Sequence, residues 1–115
     1  MKIQLKPLSV NEAWQGRRFK TDKYKKWQKD LLLMLPSLKI DFKGCLKVDF
    51  VFGFSSCASD IDNPLKPLID TLQKKYGFDD KQIKELNVKK ELVKRGNEFM
   101  EIKINELLAT TTHYP

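Results

Sequence analysis

Apolar and polar residues alternate most regularly over residues 46–54. Every even position in this segment is apolar, and the odd positions are mostly polar or small. The apolar positions are Leu46, Val48, Phe50, Phe52 and Phe54. Because successive side chains of a β-strand point to opposite faces, this pattern predicts a strand with one buried face. A shorter alternation over residues 1–5 ends before Pro7 and predicts a short first strand.

Two segments carry apolar residues at the three- and four-residue spacing typical of amphipathic helices. The first helix is predicted over residues 22–35, with Thr21 as its N-cap and Pro36 as its limit. The second begins at Asn63-Pro64, with the Asn as cap, and ends before Gly77. The buried stripes are Tyr24, Trp27, Leu31 and Met34 or Leu35 in the first helix, and Leu65, Leu68, Ile69, Leu72 and Tyr76 in the second.

Residues 82–92 and 98–104 are predicted to form two further strands. The turn-forming residues Arg95-Gly96-Asn97 lie between them, which favours a β-hairpin. The element order β, α, β, α, β, β predicts an α+β fold with one mixed β-sheet and two main helices packed on it. The chain has 115 residues, of which 41% are hydrophobic, and this is the size of one domain with one core. We therefore treat residues 1–115 as a single small domain.

The composition excludes several classes of active site. The only histidine, His113, lies close to the end of the sequence, which excludes catalysis by Ser-His-Asp or Cys-His arrangements. Cys45 and Cys57 form no CxxC motif, so structural zinc is excluded too, and we expect two free thiols in a reducing compartment. The longest apolar run, residues 31–35, is far too short to span a membrane. These features favour a cytoplasmic protein with no membrane partner and no small-molecule cofactor.

The charge of the chain points to a polyanionic partner. The sequence has 22 Lys and Arg against 15 Asp and Glu, a formal net charge of +7, and such an excess favours nucleic acid. The densest basic run spans residues 17–29 and begins in a segment, residues 16–21, that we predict to be an exposed loop. The expected DNA contacts in this run are Arg17, Arg18, Lys20, Lys23 and Lys26. On composition alone, the run is equally consistent with a solvated helix face.

Acidic residues follow the alternating strand, at its junction with the second helix. If this segment is extended, Asp60 and Asp62 point the same way and Ile61 points to the core. Lys66 and Asp70 come four and eight residues after Asp62, on one continuous helical face. The pair Asp79-Asp80 follows Gly77 and can return to the same end of the domain. Converging carboxylates suit a hard cation such as Mg²⁺, which activates water and stabilises charge on a phosphodiester.

These residues also have a purely structural interpretation. An Asp before a helix is commonly a cap, an Asp and a Lys four residues apart commonly form a surface ion pair, and Asp-Asp after glycine is common in turns. Considered without further knowledge, this interpretation is more probable than metal catalysis.

The acidic segment resembles a known family signature. Residues 60–72 have the sequence DIDNPLKPLIDTL, and residues 79–82, after Gly77, have the sequence DDKQ. This combination resembles the signature D-x-D-N-x-x-K-x-x-x-D, with a later D-D-x-Q, of the RusA-type Holliday-junction resolvases. The N-terminal segment of residues 7–11, with the sequence PLSVN, is also similar to the opening segment of that family. The resemblance covers most of the chain.

The resemblance implies an endodeoxyribonuclease that resolves four-way DNA junctions by paired symmetric nicks, as a homodimer and with Mg²⁺ or Mn²⁺. Asp60, Asp62 and Asp80 match the metal-binding catalytic aspartates of the family, and Lys66 matches its essential lysine. The motif positions of less defined role are Asn63, Asp70 and Asp79. Some relatives carry a basic residue immediately before the first aspartate, where this chain has Ser59. Members of the family are often phage-borne and serve DNA recombination and repair.

Two other interpretations compete with the nuclease. The first is a non-catalytic, basic nucleic-acid-binding module in which the aspartates only cap helices and form turns. The second is a junction-binding relative that has lost activity, although the intact acidic set argues against it. Binding to a membrane surface ranks last, because the aromatic residues of the first helix are expected in the core.

Overall fold

The computed structural model describes residues 1–16 and 19–107 of the chain. Arg17, Arg18 and residues 108–115, including His113, lie outside the described residues. The strands are β1 (Lys2–Ile3), β2 (Trp14–Gln15), β3 (Phe19–Lys20), β4 (Leu46–Phe54), β5 (Ile83–Leu92) and β6 (Phe99–Glu106). The helices are α1 (Val10–Ala13), α2 (Asp22–Met34) and α3 (Leu65–Tyr76), and a 3₁₀ turn spans Asp80–Gln82.

The main sheet is mixed and has four strands in the order β1-β6-β4-β5. β4 has the predicted bounds and lies in the interior of the sheet, parallel to β5 and antiparallel to β6. Its even-numbered side chains are buried, as the alternation predicts. The structure therefore confirms the α+β fold with one mixed sheet and helices.

The predicted hairpin between the last two strands is wrong. β5 and β6 lie on opposite sides of β4 and do not pair with each other. The turn itself forms, since the Asn97 amide donates to the Lys94 carbonyl at 2.9 Å and Gly96 has a φ of 95°. β4 is the most apolar strand, so placing it between two partners satisfies both of its backbone edges where it is most deeply buried. A local turn signal cannot reveal that a third strand lies between its two arms.

The N-terminal segment also differs from the prediction. The first strand comprises only two residues, because the Leu5 amide donates back to the Ile3 carbonyl at 2.9 Å and turns the chain. The stretch after Pro7 is not simply a loop, since it contains α1, with Ser9 as its N-cap, and the small β2–β3 pair. These elements span only two to four residues each, too few to produce a periodic pattern.

The helices follow the sequence prediction closely, with one exception at the start of α3. Thr21 caps α2 by accepting from the Tyr24 amide at 3.1 Å, and Leu35, not Met34, is the buried residue at its end. α3 begins at Leu65, and no side chain caps it, so Asn63 is not the predicted cap. Pro64, not Asn63, occupies the N-cap position of α3. Its backbone angles, φ −82° and ψ −6°, are helical, whereas an N-cap residue that accepts with its side chain has extended backbone angles.

A buried polar contact joins α2 to α3. The Gln28 side-chain amide donates to the Thr71 hydroxyl at 3.0 Å, and that hydroxyl donates to the Pro67 carbonyl at 2.8 Å. Gln28 and Thr71 are both buried, so each polar group is satisfied inside the core. The two helices are thereby held in one arrangement relative to each other.

Two further expectations can be compared with the structure. Cys45 and Cys57 are both free thiols. In the described ranges, none of the helices has the length and apolar character needed to cross a membrane.

Candidate active site

Asp60 and Asp62 lie on an exposed turn immediately before α3. The turn is closed by two backbone hydrogen bonds, from the Asn63 amide to the Asp60 carbonyl at 3.2 Å and from the Leu65 amide to the Asp62 carbonyl at 3.1 Å. The extended geometry considered from the sequence is therefore wrong for this segment. Ile61 does not enter the core and is 41% exposed.

The side-chain contacts in the described part of the chain assign neither Asp60 nor Asp62 a role in stabilising the fold. α3 has no side-chain cap, so neither Asp60 nor Asp62 serves as one. Within residues 1–16 and 19–107, neither side chain forms an ion pair, and the side-chain hydrogen bonds of the turn region involve other residues. These two exposed carboxylates have no side-chain partner among the described residues and are therefore available to a ligand.

Lys66 and Asp70 lie on one face of α3, as their spacing predicts. The Lys66 ammonium lies 3.3 Å from the Asp70 carboxylate and 5.6 Å from the centre of the Trp14 ring. It is exposed and borders two surface hollows. One of these is an open groove of about 500 Å³ along α3, lined by Leu65, Lys66, Ile69, Asp70, Asp80, Ile83, Lys84 and Leu86. Asp80 thus shares a groove with Lys66 and Asp70.

The two members of the Asp79-Asp80 pair have different roles. Asp79 caps the 3₁₀ turn, where its carboxylate accepts from the Lys81 amide at 3.0 Å and its own amide donates to the Gln82 side chain at 2.9 Å. The Lys81 amide is the main cause that lowers the pKa of the Asp79 carboxyl, and hydrogen bonding with Asp80 contributes. A lowered pKa means that this contact stabilises the fold above the usual aspartate pKa and is lost as the pH falls.

Neighbouring substitutions separate these roles. For the nuclease that the sequence signature implies, we expect Asp79→Asn to leave cleavage within about twofold of wild type, because Asn caps about as well as Asp. Asp80→Asn removes a carboxylate that faces the groove, and we expect it to slow cleavage by at least about tenfold. Initial rates on a four-way junction, with circular dichroism as the folding control, measure both. Equal loss in the two variants would show that Asp80 has no special role.

Sequence reasoning missed Lys90, and it assigned no role to Gln82, the last residue of the DDKQ segment. The Lys90 ammonium, on β5, donates to the carbonyls of Cys57, at 2.9 Å, and Ser59. It fixes the loop that leads into Asp60, and it places a positive charge beside Ser59, where some relatives have a basic side chain. Gln82 donates to the carbonyls of Phe42 and Gly44 at 2.6 and 2.8 Å, which fixes the 3₁₀ turn against the start of β4. Both contacts join residues far apart in sequence.

The acidic residues do not all converge. In the part of the chain that the structure describes, no three His, Cys, Asp or Glu side chains form a cluster that could hold a metal ion. Asp60 and Asp62 precede α3, and Asp80 follows it. The 12 residues of α3 amount to about 18 Å of helix between the two ends. Within the described residues, Asp80 is therefore separated by the helix from Asp60 and Asp62, which lie two positions apart on one turn.

The predicted DNA-binding lysines fall on different faces. Lys23 is paired with Glu12, and Lys26 with Asp30 at 2.8 Å. Lys20 lies on β3, with its ammonium 5.1 Å from the centre of the Tyr24 ring. Arg17 and Arg18 lie outside the described residues.

Comparison with known proteins gives one family. The family model described as "Endodeoxyribonuclease RusA" matches residues 6–105, which is most of the chain. No curated protein matches the sequence significantly.

Proposed function

Because the chain belongs to the RusA endodeoxyribonuclease family, we propose that it is a metal-dependent nuclease that resolves four-way DNA junctions. The family supports endonuclease action on branched DNA in recombination. The observation that carries the assignment of the site is the pair Asp60 and Asp62, two exposed carboxylates with no structural role at the start of α3. Their positions are those of the paired aspartates in the family signature.

The chemistry of this donor pair fits Mg²⁺ or Mn²⁺. Carboxylate oxygens are hard ligands, and Mg²⁺ commonly takes only one or two protein carboxylates together with substrate phosphates and water. Asp60 and Asp62 would hold the ion, so a preformed cluster of three acids is not required. When bound, the ion supplies Lewis-acid stabilisation of the charge that develops on the phosphodiester.

The other residues of the groove then act on the DNA. Lys66 is exposed within the groove and is placed to neutralise the scissile phosphate or the leaving oxygen. Its ion pair with Asp70 holds the ammonium over α3 before DNA binds. Asp80 lines the same groove, whereas Asp79 of the later acidic pair serves as a cap. Lys90 keeps the loop before Asp60 in place from β5.

We further propose that the enzyme acts as a homodimer. A four-way junction has approximate two-fold symmetry, so two matched nicks require two matched active sites. A two-fold dimer supplies these from one gene product of 13.5 kDa. The expected partners are therefore branched DNA and a second copy of the chain, in a cytoplasmic setting and with no small-molecule cofactor.

Cleavage of an end-labelled four-way junction tests this function. We expect cutting with Mg²⁺ or Mn²⁺, none in EDTA, and at least about tenfold slower cutting of a linear duplex of the same sequence. A duplex made from the same strands is the matched control. DNA binding without cutting in either metal would contradict the nuclease and leave the non-catalytic binding module. Equal cutting of both DNAs would contradict selectivity for junctions.

A further inference from the structure

A cleft between α2 and α3, separate from the groove that holds Asp80, carries a concentrated positive charge. It has a volume of about 550 Å³, and its lining contains four lysines and no carboxylate. The lysines are Lys20 from β3, Lys25 and Lys29 from α2, and Lys74 from α3. Leu32 and Leu33 add an apolar wall, and Leu33 is 78% exposed.

The charge in this cleft is not neutralised within the protein. Of the ion pairs in residues 1–16 and 19–107, those of the basic run join Lys23 to Glu12 and Lys26 to Asp30, on a different face of α2. None of the four cleft lysines takes part in an ion pair in that same part of the chain. The lysines of α2 therefore fall into two classes, one compensated internally and one available to an external anion.

The two helices that form the cleft are joined at its base by a buried hydrogen bond. Gln28, which lines it, donates to Thr71 and so joins α2 to α3 beneath the lysines. The Lys20 ammonium lies 3.4 Å from the Gln28 side-chain oxygen. Because the helices are joined here, lysines from both helices line one cleft.

The position of Lys74 relates the cleft to the candidate active site. Lys74 follows Lys66 by eight residues on α3, which is about 12 Å along the helix axis and close to the same face. At this spacing, a phosphate bound at Lys66 and a phosphate bound in the cleft would be two different phosphates.

We infer that the α2–α3 cleft binds the phosphodiester backbone of a duplex arm, at phosphates distinct from the one that is cut. The inference rests on the proposed function in taking branched DNA as the polyanion. The sequence analysis expected Lys23 and Lys26 of α2 to contact DNA, whereas the inference assigns this role to Lys25 and Lys29. Lys20 and Lys74 complete the proposed phosphate site. Four ammonium groups around an unpaired cleft suit several phosphates of a backbone better than a single small anion.

The test compares two double variants of the same helix. Lys25→Ala with Lys29→Ala removes cleft charge, and Lys23→Ala with Lys26→Ala removes the same number of paired lysines. Binding of a fluorescent four-way junction is measured in EDTA over a series of KCl concentrations. Each lost phosphate contact makes the slope of log affinity against log salt shallower by about 0.9, so we expect a change of about 1.8 for the cleft variant.

The paired-lysine variant is expected to change the slope by less than half as much, because each lysine already shares its charge with a carboxylate. Equal changes in the two variants, or no change in the cleft variant, would overturn the inference. The experiment needs no cleavage, so a protein that binds as expected but never cuts would contradict only the nuclease. A variant that cuts normally and keeps the wild-type slope would contradict only the cleft.

Discussion

Replacement of Asp62 by Asn is expected to lower the rate of junction cleavage by at least about 100-fold, because the proposed site loses one of its two metal-binding carboxylates. Asn has nearly the same shape, and the Asp62 side chain is exposed and caps no helix. In the described part of the chain, the substitution therefore removes no ion pair and no helix cap. Single-turnover cleavage of an end-labelled junction, at saturating protein and Mg²⁺, measures the rate of the chemical step.

The same variant is expected to bind junction DNA at least as tightly as wild type in EDTA. Without metal, the Asp62 carboxylate repels phosphate, and the amide does not. Asp49→Asn is the matched control, because it makes the same change in charge on β4, where Asp49 accepts from the Asn87 side chain at 2.8 Å. We expect the control to cut at the wild-type rate. Normal cutting by the Asp62 variant would remove Asp62 from the active site.

The largest effect on stability is expected at Gly53, on β4. Gly53 pairs with Phe99 of β6, and the Phe99 ring occupies the space where a Cβ of residue 53 would stand. Phe99 is 4% exposed, and the Lys2 ammonium lies 4.3 Å from its ring centre. Gly53→Ala therefore forces the ring out of a closely packed position. We expect a loss of about 2 kcal/mol in the free energy of unfolding and a Tm lower by roughly 8 °C.

Three further variants isolate this steric cause. Gly44→Ala is the control, because a Cβ there meets no atom within 4 Å, and we expect the stability to stay within about 0.5 kcal/mol of wild type. In the Phe99→Ala background the ring is gone, so Gly53→Ala is expected to cost far less than in wild type. Urea unfolding of wild type, Gly53→Ala, Phe99→Ala and the double variant measures the coupling energy between positions 53 and 99. An equal cost in both backgrounds would show that the Phe99 ring is not responsible.

The parts of the fold that the sequence predicted are those with a long periodic pattern or a strong local signal. Every even position of residues 46–54 is apolar, and β4 has those bounds. α2 has a cap at Thr21, and α3 ends at Gly77 with a φ of 72°, a left-handed conformation that glycine adopts without strain. The order of strands could not be obtained in this way. It depends on which strand buries most apolar surface, and that is a property of the whole sheet.

The candidate site shows the same division between local and non-local information. The spacing of Lys66 and Asp70 predicts their contact, because four residues make one helical turn. The separation of Asp80 from Asp60 and Asp62 depends on the direction of α3 between two parallel strands, which no motif encodes. The structural interpretation of the acids holds for Asp79, which is a cap, but it fails for Asp60 and Asp62.

The most direct test of the account is to map the cuts on a four-way junction with each of its four strands labelled in turn. With Mg²⁺, the account predicts two nicks on opposite strands, placed symmetrically about the branch point, and no nick for the Asp62→Asn variant. Symmetric nicks would identify a resolvase with two matched sites. Cuts that are scattered along the arms, or that occur equally in EDTA or in the variant, would contradict it.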